Sequence, residues 1–279
     1  MLTLIKPFRG LRPAPGRATE VAAPPYDVLS SAEARERAAG KPWSFLHISK
    51  PEIDLPADTD PYDPTVYAKA AENLVRMIEA GVLTRDAAPC YYAYRLTMGP
   101  HEQTGLVAVA AVPCYDNNRI KKHEFTRPEK EDDRVRQIEA INAQTGPVLL
   151  AYPTSPDADA LIAAIAQGEP AADVTAEDGI RHQIWVCTDA DKIDAITRCF
   201  DGMEALYIAD GHHRSAAASR VAAARRQFDV EQASDYFLSV IFPQQQMQIL
   251  DYNRVVKDLN GLSADEFLAR LGEKFLVST

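Results

Sequence analysis

The sequence lacks the glycine-rich motifs by which the two most common classes of nucleotide-binding protein hold phosphate. It contains neither a G-x-x-x-x-G-K-[ST] loop nor a G-x-G-x-x-G fingerprint. It also has no H-E-x-x-H motif and no other cluster of side chains at metal-ligand spacing. We therefore predict no resident metal site, and any nucleotide must be bound by a less common arrangement.

Basic residues are outnumbered by acidic ones. The chain has 279 residues, with 30 Lys and Arg against 40 Asp and Glu, and a formal net charge of -10. Because nucleic-acid and membrane-surface binders carry a basic footprint, this balance argues against both kinds of partner. No apolar run approaches the roughly 18 residues of a membrane span, and the first is too short for a secretory signal. We expect a cytoplasmic protein.

Cysteine is scarce, and its four copies lie far apart without a C-x-x-C pair. Cys90, Cys114 and Cys187 fall in strand-like runs, and Cys199 falls in a helix-like run. We interpret all of them as buried free thiols rather than as metal ligands or a redox pair.

Strand-like and helix-like segments alternate irregularly, which predicts an α+β (mixed α/β) fold of mixed sheets with flanking helices. The predicted strands span residues 44–48, 90–98, 104–115, 148–152, 171–174, 182–188, 205–209, 236–242 and 247–252. The predicted helices span residues 30–39, 66–80, 126–143, 157–166, 189–200, 215–228 and 263–274. The second and third strands should form an antiparallel hairpin, and a capping box at residues 126–129 should start the third helix.

The expected domain organisation is one large α+β unit over residues 1–279, with two lobes of about 1–150 and 151–279 as the alternative. Residues 275–279 begin to resemble an apolar strand where the sequence ends. This pattern predicts that further residues or a partner complete the sheet.

The most informative segment is LYIADGHHRS at residues 206–215, which an alanine-rich run follows. Residues 205–209 have the apolar pattern of a buried strand, and Asp210 and Gly211 interrupt it. Residues 215–228 then carry helix-forming side chains at high density. The segment therefore predicts a strand, a tight turn and a helix.

His212, His213 and Arg214 fall at the first turn of that predicted helix. Free backbone N–H groups and the positive end of the helix dipole favour phosphate there. Arg214 adds a planar two-pronged donor, and a histidine can donate or exchange a proton. The alternative is an ordinary turn whose basic side chains are only solvated.

A second constellation, KKHE at residues 121–124, lies between a strand and the helix predicted from residue 126. Glu124, held among Lys121, Lys122 and His123, could act as a general base toward a substrate hydroxyl. The alternative is a solvated charge cluster continuous with the charged helix that follows.

Two further polar residues have open roles. Arg254, after the last predicted strand, could clamp a second phosphate or pair with an acid. His47 lies between apolar residues of a predicted strand, and we interpret it as a satisfied structural group.

These motifs occur in a fixed order along almost the whole chain. They are PFRGLRP at 7–13, APPYDV at 23–28, SFLH at 44–47, KKHE at 121–124, DDR at 132–134, GP at 146–147, DGHHR at 210–214 and DYNR at 251–254. In this ordered set the chain strongly resembles the bacterial and archaeal family known as domain of unknown function 1015. The family has no settled activity, so the resemblance implies a common fold without naming a reaction.

Asp210, Gly211, His212, His213 and Arg214 are also similar to the phosphate-binding signature of the ParB/sulfiredoxin superfamily, whose free-serine kinases carry Asp-Gly-x-x-Arg before a helix. The resemblance implies that the helix N-terminus and the arginine hold nucleotide phosphates. The sulfiredoxin version has a nucleophilic cysteine where this chain has a histidine, which disfavours sulfiredoxin chemistry.

The leading hypothesis from the sequence is a phosphotransferase that uses ATP or ADP with Mg²⁺ on a small hydroxylated metabolite, with serine favoured by resemblance. His213, Arg214 and the backbone of Gly211 would hold the phosphates, and Glu124 would take the hydroxyl proton. Lys121 or Lys122 would offset the charge of the transferred group. The alternative is a regulatory protein that binds a nucleotide or phosphometabolite without turnover.

Overall fold

The computed structural model describes residues 3–227, 230–251, 253 and 255–278, and the chain forms two compact units. The larger unit is Met1–Met247 and the smaller unit is Gln248–Thr279. Among the described residues, no helix is both long and apolar enough to cross a membrane.

The larger unit is built on a mixed sheet of nine strands. The strands of the unit are β1 (Ile5–Lys6), β2 (Leu11–Pro13), β3 (Leu83–Arg85), β4 (Tyr91–Met98), β5 (His101–Ala111), β6 (Ile120–Lys121), β7 (Val148–Tyr152), β8 (Ala172–Thr175), β9 (Arg181–Cys187), β10 (Leu206–Asp210) and β11 (Tyr236–Pro243). The order in the sheet is β6-β10-β7-β11-β5-β4-β9-β8, with β1 also paired to β5. Strands β2 and β3 form a separate antiparallel pair.

Both parallel pairings in this sheet involve strands near its β6 edge. Strand β10 runs parallel to β6, and β7 runs parallel to β11, whereas the other pairings are antiparallel. Strand β10 therefore lies between β6 and β7, and the segments that follow β6 and β10 leave the sheet at the same end.

The helices of the larger unit are α1 (Ala18–Val21), α2 (Ser31–Ala38), α3 (Leu46–Ser49), α4 (Pro64–Glu79), α5 (Val112–Asp116), α6 (Pro128–Ile141), α7 (Pro156–Ile165), α8 (Ala190–Asp201) and α9 (His212–Arg225). The smaller unit contains α10 (Ala264–Gly272), which begins with a capping box between Ser263 and Glu266. Single turns of 3-10 helix span Tyr26–Val28, Pro51–Asp54, Ala233–Asp235 and Gln244–Gln246.

The mixed α/β architecture predicted from the sequence is confirmed. Strands β4 and β5 form the predicted antiparallel hairpin. Strand β10 and helix α9 form the predicted strand–turn–helix unit, and the helix begins at His212, so that residues 212–214 lie in its first turn as predicted.

Five local predictions are wrong. Residues 46–49 form helix α3 instead of a strand, and residues 112–116 form helix α5 instead of extending β5. Residues 247–251 and 275–278 do not form strands. No capping box starts α6, because the N-cap residue is Arg127, and Thr126 Oγ1 donates to the Glu131 carboxylate instead of accepting a backbone N–H of the first turn.

The main hydrophobic core lies against the sheet and includes small side chains from α9. Ala216, Ala218 and Ala222 are buried in it, so α9 approaches the sheet closely along its alanine-rich face. This packing fixes the first turn of α9 at the carboxyl end of β10.

The cysteines are free. Cys90, Cys114 and Cys187 are buried and Cys199 is half-buried, and burial raises the pKa of each thiol. Thiols with raised pKa values are poor nucleophiles, which agrees with the structural role predicted for them.

Candidate functional site

The turn between β10 and α9 depends on Gly211. Its φ angle is 96°, in the left-handed region that glycine adopts without strain. A Cβ atom at this position would also lie 3.1 Å from Cζ of Arg214. The glycine thus allows a sharp turn and leaves room for the arginine side chain beside it.

The first turn of α9 has no side-chain cap. The first backbone bond of this helix runs from the Ser215 N–H to the Gly211 carbonyl, at 3.0 Å. In the described part of the chain, no acceptor lies opposite the N–H groups of His212, His213 and Arg214. Three donors at the positive end of a helix form a site that favours an anion.

His212 lies beneath the loop of residues 122–127, which connects β6 to α6. Its side chain is 3% exposed, and its Nε2 accepts the backbone N–H of His123 at 3.4 Å. The ring proton must then be on Nδ1, which lies 3.3 Å from Glu124 Oε2. Burial and then the charge of His123 lower the pKa of His212, so the neutral form is favoured.

His213 contacts the other end of the same loop. Its Nε2 accepts the backbone N–H of Arg127 at 3.1 Å, so its proton also belongs on Nδ1. Within the described residues, Nδ1 of His213 has no hydrogen-bond partner. The two histidines therefore hold loop 122–127 at both ends against the start of α9, and the second histidine keeps one donor for a ligand.

Arg214 is held between the turn and the loop before β7. Its guanidinium donates to the Pro147 carbonyl and, at 2.5 Å, to Asp210 Oδ2. Gly146 permits this approach, because a Cβ there would lie 3.1 Å from Cδ of Arg214. The arginine side chain is 19% exposed and that of Asp210 is 66% exposed. Arg214 is thus oriented while the carboxylate that pairs with it stays in solvent.

The residues of the KKHE constellation differ in their contacts and in their exposure to solvent. Lys122 Nζ donates to the Tyr115 carbonyl at 2.9 Å and lies 3.9 Å from the centre of the Tyr115 ring, a structural role that the sequence did not indicate. Lys121 is exposed on β6. Glu124 is 60% exposed and faces His212, so it combines an orienting contact with access to solvent.

Tyr26 and Arg134 join this neighbourhood, although we did not predict a site role for either. The Arg134 guanidinium lies 4.1 Å from the centre of the Tyr26 ring and 2.6 Å from Asp133. Burial raises the pKa of Tyr26, whereas the positive charges of Arg134 and Arg214 act in the opposite direction. Both residues belong to motifs of the ordered set, which was the signal in the sequence that could have indicated them.

The remaining sequence candidates lie elsewhere. Arg254 lies outside the described residues. His47 bonds to Asp54 at 2.9 Å and to the Lys41 carbonyl at 3.1 Å, as expected of a satisfied structural group, although in helix α3. Across the described ranges, no group of three or more His, Cys, Asp or Glu side chains could hold a metal ion.

Sequence segments that lie far apart in the chain therefore meet at the start of α9. Over residues 5–279 the chain matches the model of a family described as "Protein of unknown function (DUF1015)". The chain belongs to the DUF1015 family. No curated protein and no solved structure matches it.

The membership in DUF1015 confirms the resemblance carried by the ordered motifs. The similarity of its DGHHR segment to the ParB/sulfiredoxin superfamily stays a prediction, based on five residues and the strand–turn–helix around them.

Proposed function

We propose that this DUF1015 chain binds the phosphates of a nucleotide, ATP or ADP, at the first turn of α9. The observation that carries the proposal is the uncapped first turn of α9, with the Arg214 guanidinium held beside it. The backbone N–H groups of residues 212–214 would receive phosphate oxygens, and Nδ1 of His213 would add a side-chain donor.

The charge of Arg214 supports this proposal. A positive side chain in the first turn opposes the helix dipole, which favours acidic residues at this end. Its pairing with Asp210 is a contact with an exposed carboxylate, a kind of ion pair worth at most about 1 kcal/mol. A phosphate can therefore displace Asp210 and receive, on two of its oxygens, the two-pronged bond that the planar guanidinium forms.

Asp210 also bears on the predicted need for Mg²⁺. Magnesium commonly binds through one or two carboxylates together with substrate phosphates and water, so it does not require a preformed cage of side chains. Asp210, once displaced from Arg214, is a carboxylate at the edge of the phosphate site. The proposed site is thus compatible with magnesium that arrives bound to the nucleotide.

Phosphoryl transfer to a small hydroxylated acceptor such as serine is the second candidate function. It is favoured by Glu124, which is exposed yet oriented by the proton on Nδ1 of His212. The acceptor oxygen would form a bond to the terminal phosphorus as the bond to the leaving phosphate breaks. Glu124 would take the hydroxyl proton, and Lys121 would offset the negative charge.

The direct test is a calorimetric titration of the chain with ATP and with ADP, each with Mg²⁺. Arg214→Ala should weaken binding by about 1.5–3 kcal/mol, and Arg214→Lys should not restore it, because an ammonium lacks the planar fork. Arg220→Ala is the matched control, since Arg220 lies on the same helix and pairs with Glu131 and Asp132. Unchanged affinity in both Arg214 variants would refute the phosphate site.

Transfer is tested separately with labelled ATP or ADP and a panel of hydroxy amino acids. The Glu124→Gln variant should bind nucleotide as the unchanged chain does but lose transfer, because an amide cannot take the proton. Binding without transfer in the unchanged chain would leave the regulatory, non-catalytic alternative as the function.

A further inference from the structure

Phe125 is the most exposed aromatic side chain among the described Phe, Tyr and Trp residues, at 98%. Moving such a ring out of water is worth about 1.5–3 kcal/mol, so its full exposure leaves a large favourable contact unmade. Its sequence neighbours in loop 122–127 are polar or charged.

The backbone around Phe125 is held close to the phosphate site. On one side, the His123 N–H bonds to Nε2 of His212 at 3.4 Å. On the other side, the Arg127 N–H bonds to His213 at 3.1 Å. Phe125 is two residues from each of these backbone contacts, so its Cα lies within about 7 Å of chain from both. The loop is fixed to α9 while the ring it carries is unpacked.

We propose that Phe125 stacks against the base of the nucleotide whose phosphates bind at the first turn of α9; the inference rests on the function proposed above. A planar apolar ring beside a set of phosphate donors matches a ligand with a flat base at one end and phosphates at the other. A protein partner would instead require a contiguous apolar patch, whereas the neighbours of Phe125 in its loop, Lys122, His123, Glu124 and Arg127, are polar or charged.

Stacking on one exposed ring is tolerant of base identity, because every base has a π-face. Adenine and guanine nucleotides should therefore bind with similar affinity. Removal of the ring should weaken nucleotide binding about ten-fold or more, as is usual for a base stacked on an aromatic side chain.

The test compares ATP with inorganic triphosphate as calorimetric probes on the whole chain. Phe125→Ala should weaken ATP binding about ten-fold and leave triphosphate binding unchanged, and Phe125→Trp should restore ATP binding. Phe275→Ala is the matched control, because Phe275 is also an exposed phenylalanine, at 68%, but lies in the smaller unit. Equal melting temperatures would confirm that each variant is folded.

The outcomes separate the two proposals. If Phe125→Ala changes ATP and triphosphate binding alike, or changes neither, stacking is refuted while phosphate binding by the unchanged chain stands. If the unchanged chain binds neither probe, the phosphate site is refuted, and the stacking inference fails with it.

Discussion

Helices α8 and α9 both follow a strand of the same sheet, yet their first turns are built in opposite ways. At α8 the Asp189 side chain accepts the Lys192 N–H at 3.1 Å, and Asp191 adds negative charge to the first turn. At α9 the capping position is Gly211 and the first turn contains no acidic residue. A side chain therefore accepts a hydrogen bond from the first turn of α8, whereas no side chain caps the first turn of α9.

We interpret this difference as that between a structural helix start, at α8, and the proposed binding site, at α9. The Asp189 cap and the acidic first turn of α8 both favour helix formation. The first turn of α9 instead carries Arg214, whose charge opposes the helix dipole. Sequences depart from local stability rules mainly at functional sites, so the start of α9 is the place in this pair where a ligand is expected.

The largest expected effect in this comparison comes from Gly211→Ala. A left-handed conformation costs a residue with a side chain about 1–3 kcal/mol, and the new Cβ would press on Arg214. The variant should therefore lose stability in thermal unfolding and should also lose affinity for ATP.

Gly202→Ala, at the end of α8, is the matched control for that substitution. Gly202 has a φ of -75°, and a Cβ there would lie 3.4 Å from the Cys199 carbonyl oxygen, an ordinary van der Waals contact. It should be nearly neutral or slightly stabilising. Equal losses of stability in the two alanine variants would mean that the turn at Gly211 does not require glycine.

An intermediate loss of stability is expected for Asp189→Ala, which removes the side-chain N-cap of α8. Loss of an N-cap typically costs about 1 kcal/mol, so the melting temperature should fall. ATP affinity should not change, because Asp189 contacts none of the residues at the start of α9. A loss of affinity with Asp189→Ala would break the distinction between the two helix starts.

The smallest effect concerns the pH dependence of stability through His212. Burial lowers its pKa below the value of about 6.5 expected in the unfolded chain, so the unfolded state takes up the proton first. The contribution of neutral His212 to the free energy of unfolding is complete above about pH 6.5. It is lost as the pH falls from there toward the pKa of His212 in the folded chain. His212→Gln should flatten this dependence, because the amide oxygen can accept the His123 N–H without titrating.

The check is unfolding measured between pH 7.5 and pH 5.5 for the unchanged chain and the variant. His182 has a pKa lowered by burial as well and contributes a slope of the same sign. The readout is therefore the difference between His212→Gln and the parent, with His182→Gln as a second reference. An identical slope in parent and His212→Gln would show that His212 is not protected from protonation in the folded chain.

The strand, turn and helix of the site could be predicted because their signals are local. Five apolar or small residues, an Asp-Gly turn and an alanine-rich run specify the β10–α9 unit without reference to the rest of the chain. Residues 44–48 show the limit of this reasoning, because the apolar residues Phe45, Leu46 and Ile48 fit a short strand as well as a helix. In the folded chain these residues form helix α3, which packs against α4.

The contacts that give the site its character are long-range and could not be predicted. The Lys122 contact with Tyr115, the Arg214 contact with Pro147 and the hold of the two histidines on loop 122–127 join distant segments. The ordered motifs indicated which segments matter, but spacing along a sequence does not state which of them meet.

We propose phosphate binding by backbone N–H groups for the start of α9 and not for the start of α8. The most direct measurement is an NMR titration of the isotope-labelled chain with ATP and then with inorganic triphosphate. We expect large, saturable shifts of the His212, His213 and Arg214 amide signals, with those of Ala190, Asp191 and Lys192 in α8 unchanged. Unchanged α9 signals, or equal shifts at the two helix starts, would contradict the proposal.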